Sequence, residues 1–242
     1  MRHGAVIALL VGMLLAFPAA TTAEETIDTV EKKIIELFDQ YDSITYKVTM
    51  TLDANMGGMT ISSKGEGTSE YMKKDDKTLF RQEMAITTEN PRSPGQSMTS
   101  NSMKICDGEF IYTLQEQGSI KQAFKQNIAD VDSVPGGKMM FDYLNKHGDL
   151  KLLPGEEIDG EEVYVIAVTL KQGNPMGVPT KRKRYISKKT GLPVRLEMFG
   201  PDDKVMMTIA MSDVKINPKV DPSRFVFKAP EDVEVIDLTG ES

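Results

Sequence analysis

The chain has no tryptophan, one cysteine (Cys106) and only two histidines, His3 and His147, in 242 residues. A single cysteine excludes an intramolecular disulfide and any zinc cluster built on thiolates. Two histidines, one of them among the first three residues, leave little from which to build a triad or an imidazole metal site. A positive balance is missing as well. There are 29 Lys and Arg against 36 Asp and Glu, a net charge of −7 that argues against general nucleic-acid binding. No phosphate loop, zinc spacing or nucleophile elbow is found, so no catalytic residue, metal or cofactor is nominated. What is present is ordinary globular stock, with 40% hydrophobic and 27% charged residues, and 16 methionines.

The first 23 residues read as a secretory leader. Arg2 and His3 open it, an apolar run follows over residues 4–17, and small residues end at Ala23. The alternative is a retained anchor, but the run is shorter than the roughly 20 residues a span needs. Glu24 and Glu25 follow at once. With Arg2 removed the charge becomes −8, since no other formal charge precedes Glu24. No cysteine stands at the cut to carry a lipid. No later segment is long and apolar enough to cross a bilayer. The expectation is a soluble periplasmic product, and a nearly cysteine-free chain suits that oxidising compartment.

Residues 24–242 read as one domain, with no linker and no internal repeat. The spacing of Ile27, Val30, Ile34, Leu37, Phe38 and Tyr41 predicts a helix over residues 26–41 with one buried stripe. The period then drops to two. Ile44, Tyr46, Val48, Met50 and Leu52 alternate with polar residues, as in a strand with one wet face. Turns at residues 56–59, at Asp107-Gly108 and at Asp159-Gly160 separate further strands. A short Met-rich helix is predicted over residues 138–146. Strands follow at 151–153, 163–170, 181–187, 193–199 and 205–211. Strands divided by turns indicate an antiparallel sheet, and about ten of them tend to close or partly close.

The concave face of such a sheet must be covered or filled. Either helix can be permanent core, or a lid over a cavity. Methionine bears on this, because 14 of the 16 lie beyond the leader and most fall on apolar strand faces. A flexible, polarizable side chain suits an adaptable binding surface, and it also serves as a core filler.

Several segments resemble one superfamily. Residues 185–196 follow its strand, Gly-x-Pro turn and strand. Residues 212–217, 221–227 and 229–233 follow its closing pattern, and Cys106-Asp107-Gly108 through Tyr112 resembles its Asp-Gly hairpin. Together they resemble the periplasmic outer-membrane lipoprotein carrier LolA and its relatives, over nearly the whole mature chain in element order. The resemblance implies a mainly β fold with α: an incomplete antiparallel β-barrel of about eleven strands under a helical lid. It also implies a carrier for lipoprotein acyl chains or other lipids, an inner-membrane release complex and an outer-membrane receptor as partners, and no enzymatic activity. A monomer is expected. The alternatives are an RseB-like envelope sensor on the same fold and a structural envelope protein with a filled core. The family places an Arg-Pro pair after its second strand, and that Arg helps hold the lid. Here the stretch reads Lys73-Lys74-Asp75-Asp76, and lysine lacks the planar fork of arginine. Lys73, Lys74 and Arg81 are the candidate lid contacts.

Alternation nominates Tyr46, Val48, Met50, Met84, Met103, Phe110, Leu196, Met198, Met207 and Ile209 as cavity lining. Ile34, Phe38, Met140 and Tyr143 are nominated from the lid. Lys181, Arg182, Lys183 and Arg184 form a basic run in an acidic chain. They read either as a guarded edge strand or as a docking patch for an acidic partner or anionic head groups. His147 reads as a solvated loop residue, and Cys106 as buried and inert.

Overall fold

The structure, a computed structural model, describes residues 25–56, 59–93, 95–130, 136–171 and 180–240. The leader assigned to residues 1–23 therefore lies outside the described residues.

Helix α1 (Ile27–Phe38) begins where Thr26 and Thr29 cap each other. The Thr26 N–H donates to Thr29 Oγ1 at 2.9 Å, and the Thr29 N–H donates back to Thr26 Oγ1 at 3.3 Å. Its buried residues, Val30, Ile34 and Phe38, recur every four positions on one face. The helix is shorter than its sequence pattern. Tyr41 lies beyond it, and its hydroxyl donates to the Thr190 carbonyl at 2.9 Å. Helix α2 (Gly137–His147) buries Met140, Phe141 and Leu144. His147 is its last residue, ring to ring with Tyr143 at 4.6 Å, rather than a loop residue.

Twelve strands of the described residues form one sheet. In chain order they are β1 (Ser43–Met56), β2 (Met59–Lys74), β3 (Lys77–Glu89), β4 (Ser97–Cys106), β5 (Phe110–Gln117) and β6 (Ile120–Asn127), then β7 (Gly148–Ile158), β8 (Glu161–Leu170), β9 (Lys181–Ser187), β10 (Pro193–Phe199), β11 (Val205–Ile216) and β12 (Val235–Asp237). From edge to edge they run β12-β6-β5-β4-β3-β2-β1-β11-β10-β9-β8-β7. Neighbours are antiparallel except β12, which lies parallel to β6. The sheet does not close, so the architecture is an open barrel of mostly antiparallel strands with a helical cover. The twelfth strand is the short terminal one. The hairpin between β2 and β3 turns on Asp75 and Asp76, both at positive φ (49° and 62°), as a two-residue primed turn requires.

Register decides which residues share a face. Both helices lie on the face that carries Ile44 of β1, Tyr71 of β2, Ile166 and Val168 of β8 and Ile186 of β9. Val30, Ile34, Met140, Phe141 and Leu144 pack there against Tyr164, Ile166, Val168 and Ile186. Burying several aliphatic side chains at about 1.5–3 kcal/mol each is what holds the helices down. The opposite face is crossed by the C-terminal segment. Phe227 stacks on Tyr112 with centroids 4.9 Å apart, and Arg224 Nε meets Glu70 Oε2 at 2.5 Å. The segment then runs on to pair as β12. Among the described residues no helix is long and apolar enough to cross a membrane.

Candidate functional site: an apolar trough on the helix-covered face

Beyond the helices, the same face continues as a trough toward the hairpin tips. Val48 and Met50 of β1 are buried and stand opposite Gly67 and Gly65 of β2. Those glycines in turn face Met84 and Ile86 of β3. On the other flank, Val48, Met50 and Leu52 pair with Met211, Ile209 and Met207 of β11, and Leu196 and Met198 of β10 continue the row. The helix-covered side of β2 thus reads Ser63, Gly65, Gly67, Ser69. This strip of small side chains lets methionines and the neighbouring strand pack closely against β2. A β-carbon on Gly65 would stand 3.3 Å from Met84 Cε and 3.3 Å from Met50 Cβ. Tyr46 begins the trough next to Phe38, and burial pushes its hydroxyl up to about 12. The arrangement offers hydrocarbon a soft apolar floor and brings no nucleophile and base together there.

Eight of the ten nominated lining residues lie on this face: Tyr46, Val48, Met50, Met84, Leu196, Met198, Met207 and Ile209. Met103 and Phe110 do not, which corrects the sequence reading. Met103 pairs with Glu83 and Leu114, on the face opposite Met84, and Phe110 lies on that face beneath the Lys125 ammonium. The alternation on β4 and β5 is real, but its apolar side is the one the C-terminal segment crosses. The glycine pair escaped the sequence reading, although Gly65 and Gly67 stand two apart in a strand pattern, a spacing that marks close approach.

The four lid residues are placed as core in this conformation. Ile34, Phe38 and Met140 are buried, and Tyr143 is half-buried against the same cluster. Of the candidate lid contacts, Lys73 alone touches α1 in the described contacts. Its Nζ donates to the Asp39 carbonyl at 2.8 Å and pairs with the Asp39 carboxylate at 3.2 Å. Asp39 caps the C-terminal end of α1, where the helix dipole favours a cation. Lys74 pairs with Lys77 at the hairpin turn. Arg81 is on the opposite face, bound to Glu83 and donating to the Arg224 carbonyl at 3.1 Å. Lys73→Ala is expected to cost less than about 1 kcal/mol, because the pair is largely exposed. The midpoint of urea unfolding checks this, and a loss of several kcal/mol would show that the lysine does more than cap the helix end.

The basic run does not form one patch. Lys181 is exposed and pairs with Asp203 at 2.5 Å, and Lys183 lies over the Phe199 ring. Arg182 and Arg184 turn to the helix-covered face and are only 6% and 7% exposed. Arg184 reaches Met140 Sδ at 3.8 Å. Strand alternation splits the run, so a docking surface of four cations is not available. Cys106 is buried, with its Sγ 3.4 Å from the Thr78 carbonyl, and burial pushes the thiol up to about 11.

No protein-family model and no curated protein matches the chain. Solved structures do. An uncharacterized conserved protein from Thermus thermophilus matches with a TM-score of 0.49 and 11% identity, over 85% of this chain and 98% of that one. MucB matches at 0.41 and 12%, over 86% of this chain and 64% of its own. A LolA superfamily protein from Nitrosomonas europaea matches at 0.33 and 13%, over 84% and 98%. Likenesses at this identity concern the course of the chain and carry no cargo with them.

Proposed function

We infer that the chain is an exported carrier that covers the acyl chains of lipids or lipoproteins and ferries them across the aqueous space toward the outer membrane. It does so without catalysis. The observation that supports this reading best is the trough itself: an apolar, methionine-rich floor, closely packed at Gly65 and Gly67 and continuous with the surface on which both helices pack. Each methylene removed from water contributes about 0.8 kcal/mol, so acyl chains do not cross water unaided. A carrier must also let go. Two helices held mainly by side-chain packing, with polar contacts such as Lys73 at the end of α1 and Arg184 against Met140, can exchange their own contacts for those of a ligand at small net cost. Export rests on residues 1–23.

The test is direct. Purified protein is extracted with organic solvent and the extract analysed by mass spectrometry. The delipidated protein is then titrated with a fluorescent fatty acid. Saturable binding is expected, weakened about tenfold or more by Met50→Asp, which puts a charge in the trough floor. A protein that carries no lipid and ignores the probe would leave the filled-core reading in its place. If it instead retrieves a membrane signalling protein while ignoring lipid, it is a sensor.

A further inference from the structure

Of the eight exposed large apolar residues among the described residues, four gather at one end of the sheet; Val214, Ile216, Val226 and Ile236 lie elsewhere. Met59, Met98 and Ile120 each stand at the tip of a different hairpin, where β2, β4 and β6 begin. All three tips are at the same end of the sheet, and Val205 opens β11 at that end too. Met98 is 54% exposed and Ile120 61%. The pairings of Met59 with Met56, Met98 with Thr88 and Ile120 with Gln117 put the first three on the helix-covered face. The trough therefore runs out onto this rim, through Leu52 and Ile86.

We propose that the hairpin-tip end of the barrel rests on a lipid bilayer, with Met59, Met98, Ile120 and Val205 entering its interface. Three observations select a membrane over a protein partner. The row occupies every second strand from β6 to β11, six strand spacings or about 29 Å along the arc. That is one side chain per hairpin, spread along the whole rim, so the matching surface is broad and apolar. The charges also fit. The tips and their flanks carry Arg92, Lys121, Lys181 and Lys204 against Asp53, Glu89, Glu116, Asp202 and Asp203, a balance of −1 in a chain of net charge −7. This end can approach a bilayer that repels the rest of the molecule. Finally, the rim is continuous with the trough, so an acyl chain passes from bilayer to carrier without entering water. That last point rests on the carrier reading, whereas the docking itself does not.

The absence of tryptophan supplies the test. Met98→Trp and Val226→Trp are made separately. Val226 is 57% exposed and lies at the opposite end, beside Lys74, Lys77 and Asp107. With phosphatidylcholine vesicles the tryptophan at 98 is expected to shift to the blue and to be quenched by brominated acyl chains, while the one at 226 does neither. Added phosphatidylglycerol is expected to change little, because the rim carries a balance of only −1. The double variant Met98→Glu, Ile120→Glu is expected to weaken vesicle cosedimentation about tenfold or more, with circular dichroism and fatty-acid binding in solution unchanged. Equal responses at 98 and 226, or vesicle binding indifferent to the glutamates, would overturn the proposal. Loss of vesicle docking with acyl binding intact in the unmodified chain refutes the rim alone. Docking without acyl binding refutes the carrier alone.

Discussion

Phe38→Ala is expected to speed amide exchange in α1 and α2 by about a hundredfold or more, while β1, β2 and β3 keep their protection. The ring sits where helix, helix and sheet meet. It lies edge-on to Tyr71 with centroids 4.8 Å apart, and packs on Ile44 and Leu192. Its other side lies against the backbone that leads into α2. A β-carbon on Gly136 would come within 2.8 Å of the ring, and one on Gly137 within 2.6 Å, so only glycines admit it. Truncating a buried phenylalanine costs about 3–5 kcal/mol. The question is which equilibrium bears that cost. If the helices open as a unit over the trough, it falls on local opening, and 3 kcal/mol corresponds to roughly two decades in exchange rate. The fluorescent fatty acid should then also associate faster. If the helices are permanent core, exchange rises uniformly through the strands, the unfolding midpoint drops and uptake is unaffected. That outcome would remove the lid from the carrier reading.

How far the sequence carried this picture depended on whether one face of an element had a single neighbour. On β1 it did. Polar residues face out, apolar residues face the trough, and alternation put Tyr46, Val48 and Met50 on the right side. The same held for β10 and β11, where Leu196, Met198, Met207 and Ile209 share that face. On β4 and β5 both faces are partly covered, and the more apolar one meets the C-terminal segment. Nothing local to Met103 or Phe110 reveals that a stretch more than a hundred residues later will cross the same face at Tyr112. Strand β6 was missed for a related reason. Ile120–Asn127 has one buried residue, Ala123, with three exposed residues before it and four half-buried ones after it, so it has no period to read. The basic run Lys181–Arg184 failed differently. A run of like charge suggests a solvated face, yet in a strand every second side chain must turn inward, and Arg182 and Arg184 do. The helices were legible in position from their apolar spacing. Their ends were not, because Tyr41 continues the pattern of α1 while leaving the helix to bond Thr190.

Two glycines on the trough floor should respond oppositely to the same substitution. Gly65 and Gly67 are two apart on β2, on one face, in equally regular pairing with β1 and β3. At Gly65 an added methyl meets only side chains: Ile86 Cγ1 at 3.2 Å, Met50 Cβ at 3.3 Å and Met84 Cε at 3.3 Å. The end of a methionine yields easily, and alanine suits an extended strand better than glycine does. Gly65→Ala is therefore expected to change stability by less than about 1 kcal/mol. At Gly67 the methyl would run into the Glu83 carbonyl oxygen, well inside contact distance, with Met84 Sδ only 2.5 Å away. That carbonyl is main chain of the neighbouring strand, so relief requires β2 and β3 to separate. Gly67→Ala is expected to cost about 3 kcal/mol or more, a large part of the 5–15 kcal/mol that holds a typical domain together. Urea unfolding of the two variants side by side measures the difference. Fatty-acid titration of Gly65→Ala, which keeps its fold, then reads the trough separately, since a methyl on the floor should weaken the longest chains most. Equal stabilities for the two variants would mean that β2 and β3 do not approach as closely as the register requires, and the floor of the trough would have to be redrawn.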